Sequence, residues 1–444
     1  MYKLHLLSLG CDKNLVDAEF MLGDLLSDGF AFTDDENEAD VIVVNTCCFI
    51  SDAKEESINT ILQMAELKKS GLKALVVTGC LGQRHAEEIL KEIPEVDAVV
   101  GTASRDSIVE AVKSALLGKS LIKKEPLTRL PKEKGKRIVT TPGHYEYLKI
   151  AEGCDKRCTY CIIPSIRGPY RSIPMEELIS EAKSLAEEGV KELIIVAQET
   201  TIYGSDLYGR NMLPELLCKL SDINGIRWIR LQYAYPEEVT DELINVMSTN
   251  PKILHYIDIP IQHASDAVLK RMGRRCDQKK LRQVIGRLRA AMPDICIRTT
   301  LITGFPGESQ EDFEETYRFV NEMEFDRLGV FTYSQEENTP AADFTDQIDE
   351  AVKEFRKNEI YELQQEIAFE KAETKVGRKL DVIIDGYLAD EDVYVGRSYM
   401  DAPDVDGMVF VYSDRTLMTG DMVNVKVTDA REYDLEGELN EPAQ

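Results

Sequence analysis

The sequence has no apolar run of the roughly 20 residues that a membrane-crossing helix needs; stretches such as 41–44 and 193–197 are strand-length. Its start, MYKLHLLSLGC, lacks a basic leader and a small-residue cleavage site and reads as a first strand. A cytoplasmic chain with no membrane partner is expected. Positive charge is scarce: 53 Lys+Arg stand against 80 Asp+Glu, a formal net charge of −27. That field repels nucleic acid and attracts a basic partner, although a local basic groove remains compatible with it. In a reducing compartment structural disulfides are not expected, so the ten cysteines point to metal ligands, catalytic thiols and buried side chains.

What is present is ample: 444 residues, 43% hydrophobic and 30% charged, more than one core usually organises. The expected class is α/β. Residues 1–118 alternate strands (3–9, 40–45, 74–78) with amphipathic helices (17–27, 57–69, 84–92), the pattern of an open parallel sheet. Residues 119–139 read as a basic linker; positions 119–137 hold eight Lys/Arg, two acidic residues and two prolines. From 140 to about 350, strands are predicted at 146–151, 192–197, 228–233, 256–259, 296–302 and 327–331. Helices fill the gaps, which fits a full or partial βα barrel whose chemistry sits at the carboxyl ends of the strands. A charged helix runs from 349 to about 375, and short strands at 380–384, 393–397, 407–411 and 421–428 predict a small all-β barrel over 376–444.

Two cysteine constellations carry the chemistry. Cys154, Cys158 and Cys161 form a C-x3-C-x2-C run in the loop after a strand. Three thiolates so spaced can ligate three irons of a [4Fe–4S] cube and leave the fourth iron open. An open iron can be chelated by S-adenosylmethionine (SAM), whose reductive cleavage yields a radical able to take hydrogen from carbon. Zinc is the ordinary alternative, but it calls for a fourth ligand, and none lies nearby. The other three cysteines end LHLLSLGC, DVIVVNTC and ALVVTGC: Cys11, Cys47 and Cys80 each sit just past an apolar strand. In an open parallel sheet those ends line one crevice, so the thiolates should converge on a second cluster. The plainer reading makes each a small buried hydrophobe.

Less specific candidates lie at the expected barrel mouth. Gln198, Glu199 and Thr200 follow LIIVA and are placed to hydrogen-bond SAM, against ordinary loop solvation. Gly304 and Gly307 in GFPGE allow backbone to approach an adenosyl group. Arg298 offers a partner for SAM's carboxylate, or an internal salt bridge. His263 reads as a hydrogen-bonding residue rather than a metal ligand.

Along nearly its whole length the sequence resembles the radical SAM methylthiotransferases. The motifs SLGCDKNLVDAE, NTCCFISDAKEES and VVTGCLGQR are most like the branch that modifies a small-subunit ribosomal protein. AEGCDKRCTYCIIPSIRGPYRS, AQETTIYG, YIDIPIQHASDAVLKRMGR and RTTLITGFPGE fit the same family. The resemblance implies a radical SAM partial TIM barrel, a terminal TRAM-like β-barrel, two [4Fe–4S] clusters and SAM as cofactors. It implies that Cys154, Cys158 and Cys161 hold the SAM cluster, while Cys11, Cys47 and Cys80 hold an auxiliary cluster that supplies or carries sulfur. It further implies 3-methylthioaspartate formation in ribosomal protein S-twelve, with electrons from a flavodoxin or ferredoxin-like donor. Cys48 stands where the family pattern usually has glycine, so either neighbouring thiol is a candidate ligand; the strand alternation and the family pattern favour Cys47.

A sister group in the family acts on transfer RNA and should carry a basic terminal barrel. Here residues 376–444 hold six Lys/Arg against sixteen Asp/Glu, which suits a basic protein substrate better. The basic linker points the other way and leaves contact with RNA open. A non-catalytic iron–sulfur sensor or RNA-binding scaffold is the alternative of another class; it predicts no deoxyadenosine when the reduced protein meets SAM.

Overall fold

The computed structural model describes residues 1–132 and 135–440. Residues 133–134 of the expected linker and 441–444 of the expected terminal barrel lie outside the described residues. Two compact units are present: Met1–Thr140 with Ala151–Ser172 and Ser334–Ala342, and Thr141–Ile150 with Ile173–Tyr333 and Asp343–Gln444. Among the described residues no helix is long and apolar enough to cross a membrane.

The first unit is built on a six-stranded sheet, every pairing parallel. Its strands are β1 (Lys3–Ser8), β2 (Ala31–Phe32), β3 (Val41–Thr46), β4 (Ala74–Thr78), β5 (Ala98–Val100) and β6 (Leu121–Lys123), in the order β2-β1-β3-β4-β5-β6. The central strands VIVVNT and ALVVT are buried at every position because both faces are covered. Val41, Val43, Ala74 and Val76 pack on the side of α1 (Asp12–Ser27) and α4 (Ile108–Leu116). Ile42, Val44, Leu75 and Val77 pack on the side of α2 (Ser51–Glu66) and α3 (Gly79–Glu92).

Two differences from the sequence reading bear on function. Helices α1, α2 and α3 begin several residues earlier than their apolar periodicity indicates, so their first turns meet the cysteine loops. Cys80 lies inside the first turn of α3 rather than in a free loop. Second, the stretch 119–139 is not merely a tether. It adds β6 to the sheet edge and docks through Arg129 on Asp106 and Arg137 on Glu19, the latter at 2.6 Å. A three-residue edge strand is too short to show a period, and only its pairing with β5 defines it.

In the second unit, β7 (Tyr145–Lys149) starts a parallel sheet; β8 (Ala151–Glu152) and β9 (Arg171–Ser172) form a small antiparallel pair that belongs to the first unit. The sheet continues with β10 (Glu192–Val196), β11 (Trp228–Leu231), β12 (Ile253–Asp258), β13 (Cys296–Thr303) and β14 (Arg327–Thr332). The order β14-β13-β12-β11-β10-β7 follows the chain, as in a βα barrel, and β7 and β14 remain edges, so the barrel is partial. Helices cover it, three with clear start signals: Thr240 caps Asp241–Thr249, Asp277 caps Gln278–Ala291, and Ser309 with Asp312 forms a capping box.

After the long helix Glu350–Glu373, strands β15 (Lys379–Leu388), β16 (Val393–Arg397), β17 (Val409–Tyr412), β18 (Met422–Arg431) and β19 (Asp434–Leu439) close into a barrel. This barrel shares a core with the amino-terminal parts of the parallel strands: Trp228, Leu254, Tyr256 and Cys296 pack with Val382, Ile384, Met400 and Val409. Buried ion pairs reinforce the junction, with Glu192 held by Arg230 at 2.7 Å and by Arg397 at 2.6 Å.

Candidate active site

Strand register decides where the first three cysteines fall. Ser8 pairs with Asn45 and Asn45 with Thr78, so the carboxyl ends of β1, β3 and β4 are level and adjacent. Cys11, Cys47 and Cys80 follow those ends directly. Gly10 has φ +87°, and a Cβ there would lie 2.6 Å from the Cys47 Cβ, so glycine is what lets the first loop close onto the second. Cys11 caps α1, accepting at its carbonyl from Asn14 and Leu15, and is exposed, whereas Cys47 and Cys80 are buried. Burial pushes the Cys47 thiol up, opposed by the Phe49 backbone N–H; burial also pushes Cys80 up, opposed by Arg167. Cys47 feels Cys11, and Cys80 feels Cys47, Cys48 and Cys11, which sets the four thiols in one electrostatic neighbourhood.

Cys48 adjoins the triad, within reach of Cys47 and Cys80, but differs in its packing. It is fully buried in the apolar core under α2 and α3, with its thiol pushed up to about 12 by burial, and its charged neighbours are Arg84 and Glu336. Cys47 has Cys11 and Arg167 as its neighbours instead.

The second triad lies in the loop between β8 and α5 (Ile163–Arg167). Cys154 and Cys158 are buried and Cys161 is half-buried. The loop is closed by Cys154 N–H donating to the Gly168 carbonyl at 3.1 Å and Cys161 N–H donating to Cys158 at 3.1 Å. Gly153 has φ +78°, and a Cβ there would meet the Pro169 carbonyl at 2.1 Å. Asp155 accepts from the Tyr170 N–H at 3.0 Å and braces the return of the loop.

Residues that the sequence reading did not single out tie the first unit's cysteine loops together. Asn14, wholly buried, donates to the carbonyls of Leu9 at 2.9 Å and Thr46 at 3.0 Å. Arg167, 2% exposed, donates to Asp17 at 2.6 Å, Glu152 at 3.2 Å, Asn14, and the Cys80 sulfur at 3.6 Å. Asn14, Asp17 and Arg167 all lie inside the quoted cysteine motifs, and that place beside the cysteines was the signal available.

In the second unit, Gln198, Glu199 and Thr200 follow the carboxyl end of β10. Glu199 and Thr200 are fully buried, and the Thr200 hydroxyl donates to the Gln232 carbonyl at 2.7 Å. Tyr233 (φ 56°) and Gln262 (φ 72°) follow β11 and β12 in the left-handed region, a conformation that costs of order 1–3 kcal/mol and gathers at functional sites. The Gly304 and Gly307 turn follows β13; Glu308 accepts from the Gly304 N–H at 2.7 Å. Both glycines are required by the packing itself: a Cβ would meet Lys353 Cγ at 2.1 Å and Asp346 Oδ2 at 2.5 Å, respectively. His263 accepts at Nδ1 from the Ser265 N–H at 3.0 Å and is a structural hydrogen-bonding group. Arg298 stands near the start of β13, paired in register with the first residue of β14, and ion-pairs Asp258 and Asp406 at 3.3 Å each. Its guanidinium makes an internal salt bridge, one partner of which, Asp258, is the last residue of β12.

Among the described residues no group of three or more His, Cys, Asp or Glu side chains is placed to hold a metal ion. The donor chemistry, two all-thiol triads, suits [4Fe–4S] clusters. The parallel partial barrel and its C-x3-C-x2-C loop define a radical SAM protein, and residues 148–320 match the radical SAM superfamily. Residues 3–101 match a family described as uncharacterized protein family UPF0004, and residues 376–439 match the TRAM domain. Two relatives bear the name ribosomal protein uS12 methylthiotransferase RimO. That of Lachnoclostridium phytofermentans is 61% identical over 98% of this chain and 99% of its own length; that of Acetivibrio thermocellus is 51% identical, with 98% of each covered. The chain belongs to the RimO family of radical SAM methylthiotransferases. The fold is shared with the radical SAM methyltransferase TsrM of Kitasatospora setae at TM-score 0.55 and 12% identity, covering 87% of this chain and 79% of that one.

Proposed function

We propose that this enzyme places a methylthio group on the β-carbon of an aspartate in ribosomal protein uS12, giving 3-methylthioaspartate. The observation that carries the reading is the convergence of Cys11, Cys47 and Cys80 at level strand ends, in the same unit as Cys154, Cys158 and Cys161. Two clusters are proposed, one on each triad. When bound, the open-iron cluster with SAM would supply a 5′-deoxyadenosyl radical, and the auxiliary cluster would supply or carry the sulfur that a second SAM methylates. That chemistry suits an unactivated sp³ carbon, which has no acidic proton for a base to take.

The chain's own residues do the rest. Cys11, Cys47 and Cys80 must lose their protons to bind iron, and the N-termini of α1 and α3 with the Arg167 guanidinium favour the thiolates. Gln198, Glu199 and Thr200, with the Gly304 to Gly307 turn, are proposed to orient SAM from the carboxyl ends of β10 and β13; Arg298 is left out of that set. The acidic terminal barrel supports a basic protein substrate over transfer RNA. A flavodoxin or ferredoxin-like protein is proposed as electron donor, and the cytoplasm as the setting.

The test incubates the reconstituted enzyme with SAM, sulfide and reductant, and either uS12 or transfer RNA, and follows methylthio adducts by mass spectrometry. An adduct on one uS12 aspartate is expected. Modification of transfer RNA alone overturns the assignment.

A further inference from the structure

Among the described residues Arg167 is the deepest cation in the first unit, 2% exposed, and its surroundings are specific. It ends α5, on the chain segment that leaves the Cys161 loop, yet its side chain reaches the other triad. Asp17 and Glu152 take the Nη1 side at 2.6 and 3.2 Å, while Nη2 faces Asn14 and the Cys80 sulfur. Arg105 shares both carboxylates, at 3.3 Å to Asp17 and 3.8 Å to Glu152. Arg171 also faces Glu152 beside Arg105 and Arg167, so three guanidinium groups stand against two carboxylates, and the carboxylates are satisfied without the sulfur.

A buried cation costs several kcal/mol in desolvation unless its partners recover it. Arg105 and Arg167 together would neutralise Asp17 and Glu152 from any approach. The planar fork of Arg167 instead presents one edge to the carboxylates and the other to Cys80, which an ammonium on a flexible stem cannot do at once. An N–H aimed at a cluster thiolate draws negative charge from the sulfur, and in a dry site that charge is weakly screened.

We propose that Arg167 is a positioning residue of the auxiliary cluster: the segment leaving the Cys154–Cys161 loop supplies an N–H donor to the Cys80 sulfur, fixing its orientation and easing reduction of the cluster on Cys11, Cys47 and Cys80. The inference rests on the two-cluster reading. Its mechanical consequence is that the two cysteine loops are tied through one side chain.

The test uses the full chain with Cys154, Cys158 and Cys161 replaced by Ala, so that only the auxiliary site can hold a cluster. R167Q and R167K are made in that background, reconstituted anaerobically, and compared with the parent by iron and sulfide content and by EPR-monitored redox titration. R167Q is expected to bind its cluster with the reduction equilibrium shifted about tenfold toward the oxidised form, which is 59 mV for one electron. R167K keeps the charge but loses the fork, and about a threefold shift in the same direction is expected. If R167Q loses its iron, R167K alone decides. A parental potential in any variant that retains the cluster overturns the assignment, because a purely structural counter-ion would change stability and leave the potential alone. A parent chain that binds no iron refutes the two-cluster reading and this inference with it.

Discussion

Replacing Glu192 with alanine tests whether the terminal barrel and the parallel sheet form one cooperative structure. Glu192 is fully buried at the start of β10 and accepts from Arg230 of β11 at 2.7 Å and Arg397 of β16 at 2.6 Å. Removing one partner of a buried ion pair costs about 3–5 kcal/mol, because the remaining charge is left desolvated. Here both cations keep other acceptors: Arg230 donates to the Tyr399 carbonyl at 2.7 Å, and Arg397 to Asp385 at 2.9 Å. The low end, about 3 kcal/mol, is therefore expected, still a large share of the roughly 5–15 kcal/mol that holds a domain folded. The sequence has a single tryptophan, Trp228, and it lies in the core shared by sheet and barrel, so its emission reports on this junction. In urea, E192A should move the midpoints of tryptophan emission and far-ultraviolet circular dichroism together, to lower denaturant. A loss below about 1 kcal/mol, or a tryptophan transition well ahead of the dichroism, would refute the argument. Acid gives a second reading. Burial opposes the charge of Glu192, but Arg397 and Arg230 hold its carboxyl below the usual range; Asp385, half-buried, is held low by His144 and Arg397. Groups with depressed folded values contribute stability above their unfolded values of about 4 and lose it as pH falls through the folded ones. Wild type should thus lose stability below about pH 4 more steeply than E192A.

Three further outcomes are expected. C47A should bind iron only at the C-x3-C-x2-C triad, whereas C48A should retain wild-type iron, since the Cys48 thiol faces Arg84 in the apolar core; iron counting on reconstituted chains decides. G10A should lose most auxiliary-cluster absorbance, because its Cβ would fall 2.6 Å from the Cys47 Cβ at a backbone of φ +87°; absorbance of a G10A chain lacking the second triad measures it. Replacing Cys154, Cys158 or Cys161 singly with alanine should abolish deoxyadenosine formation from SAM, read by chromatography, with auxiliary iron retained.

Much of this protein is written locally. The buried strands VIVVNT and ALVVT, the six parallel strands of the partial barrel and the spacing of Cys154, Cys158 and Cys161 follow from apolar runs and a short motif, which depend on neighbours in sequence alone. Short elements escaped that reading. Strand β6 exists only through its pairing with β5, and the early starts of α1 and α3 lack a side-chain cap that would announce them. The sequence by itself determined the family, the six cysteines and the βα order, because those reside in residue type and spacing. Only the tertiary structure brought Arg167 to the Cys80 sulfur, turned Cys48 into the core, engaged Arg298 with Asp258 and Asp406, and fused the terminal barrel to the sheet through Glu192 and Arg397. Those contacts join residues far apart in the chain, and a charge buried against a distant partner leaves no periodic trace in the sequence.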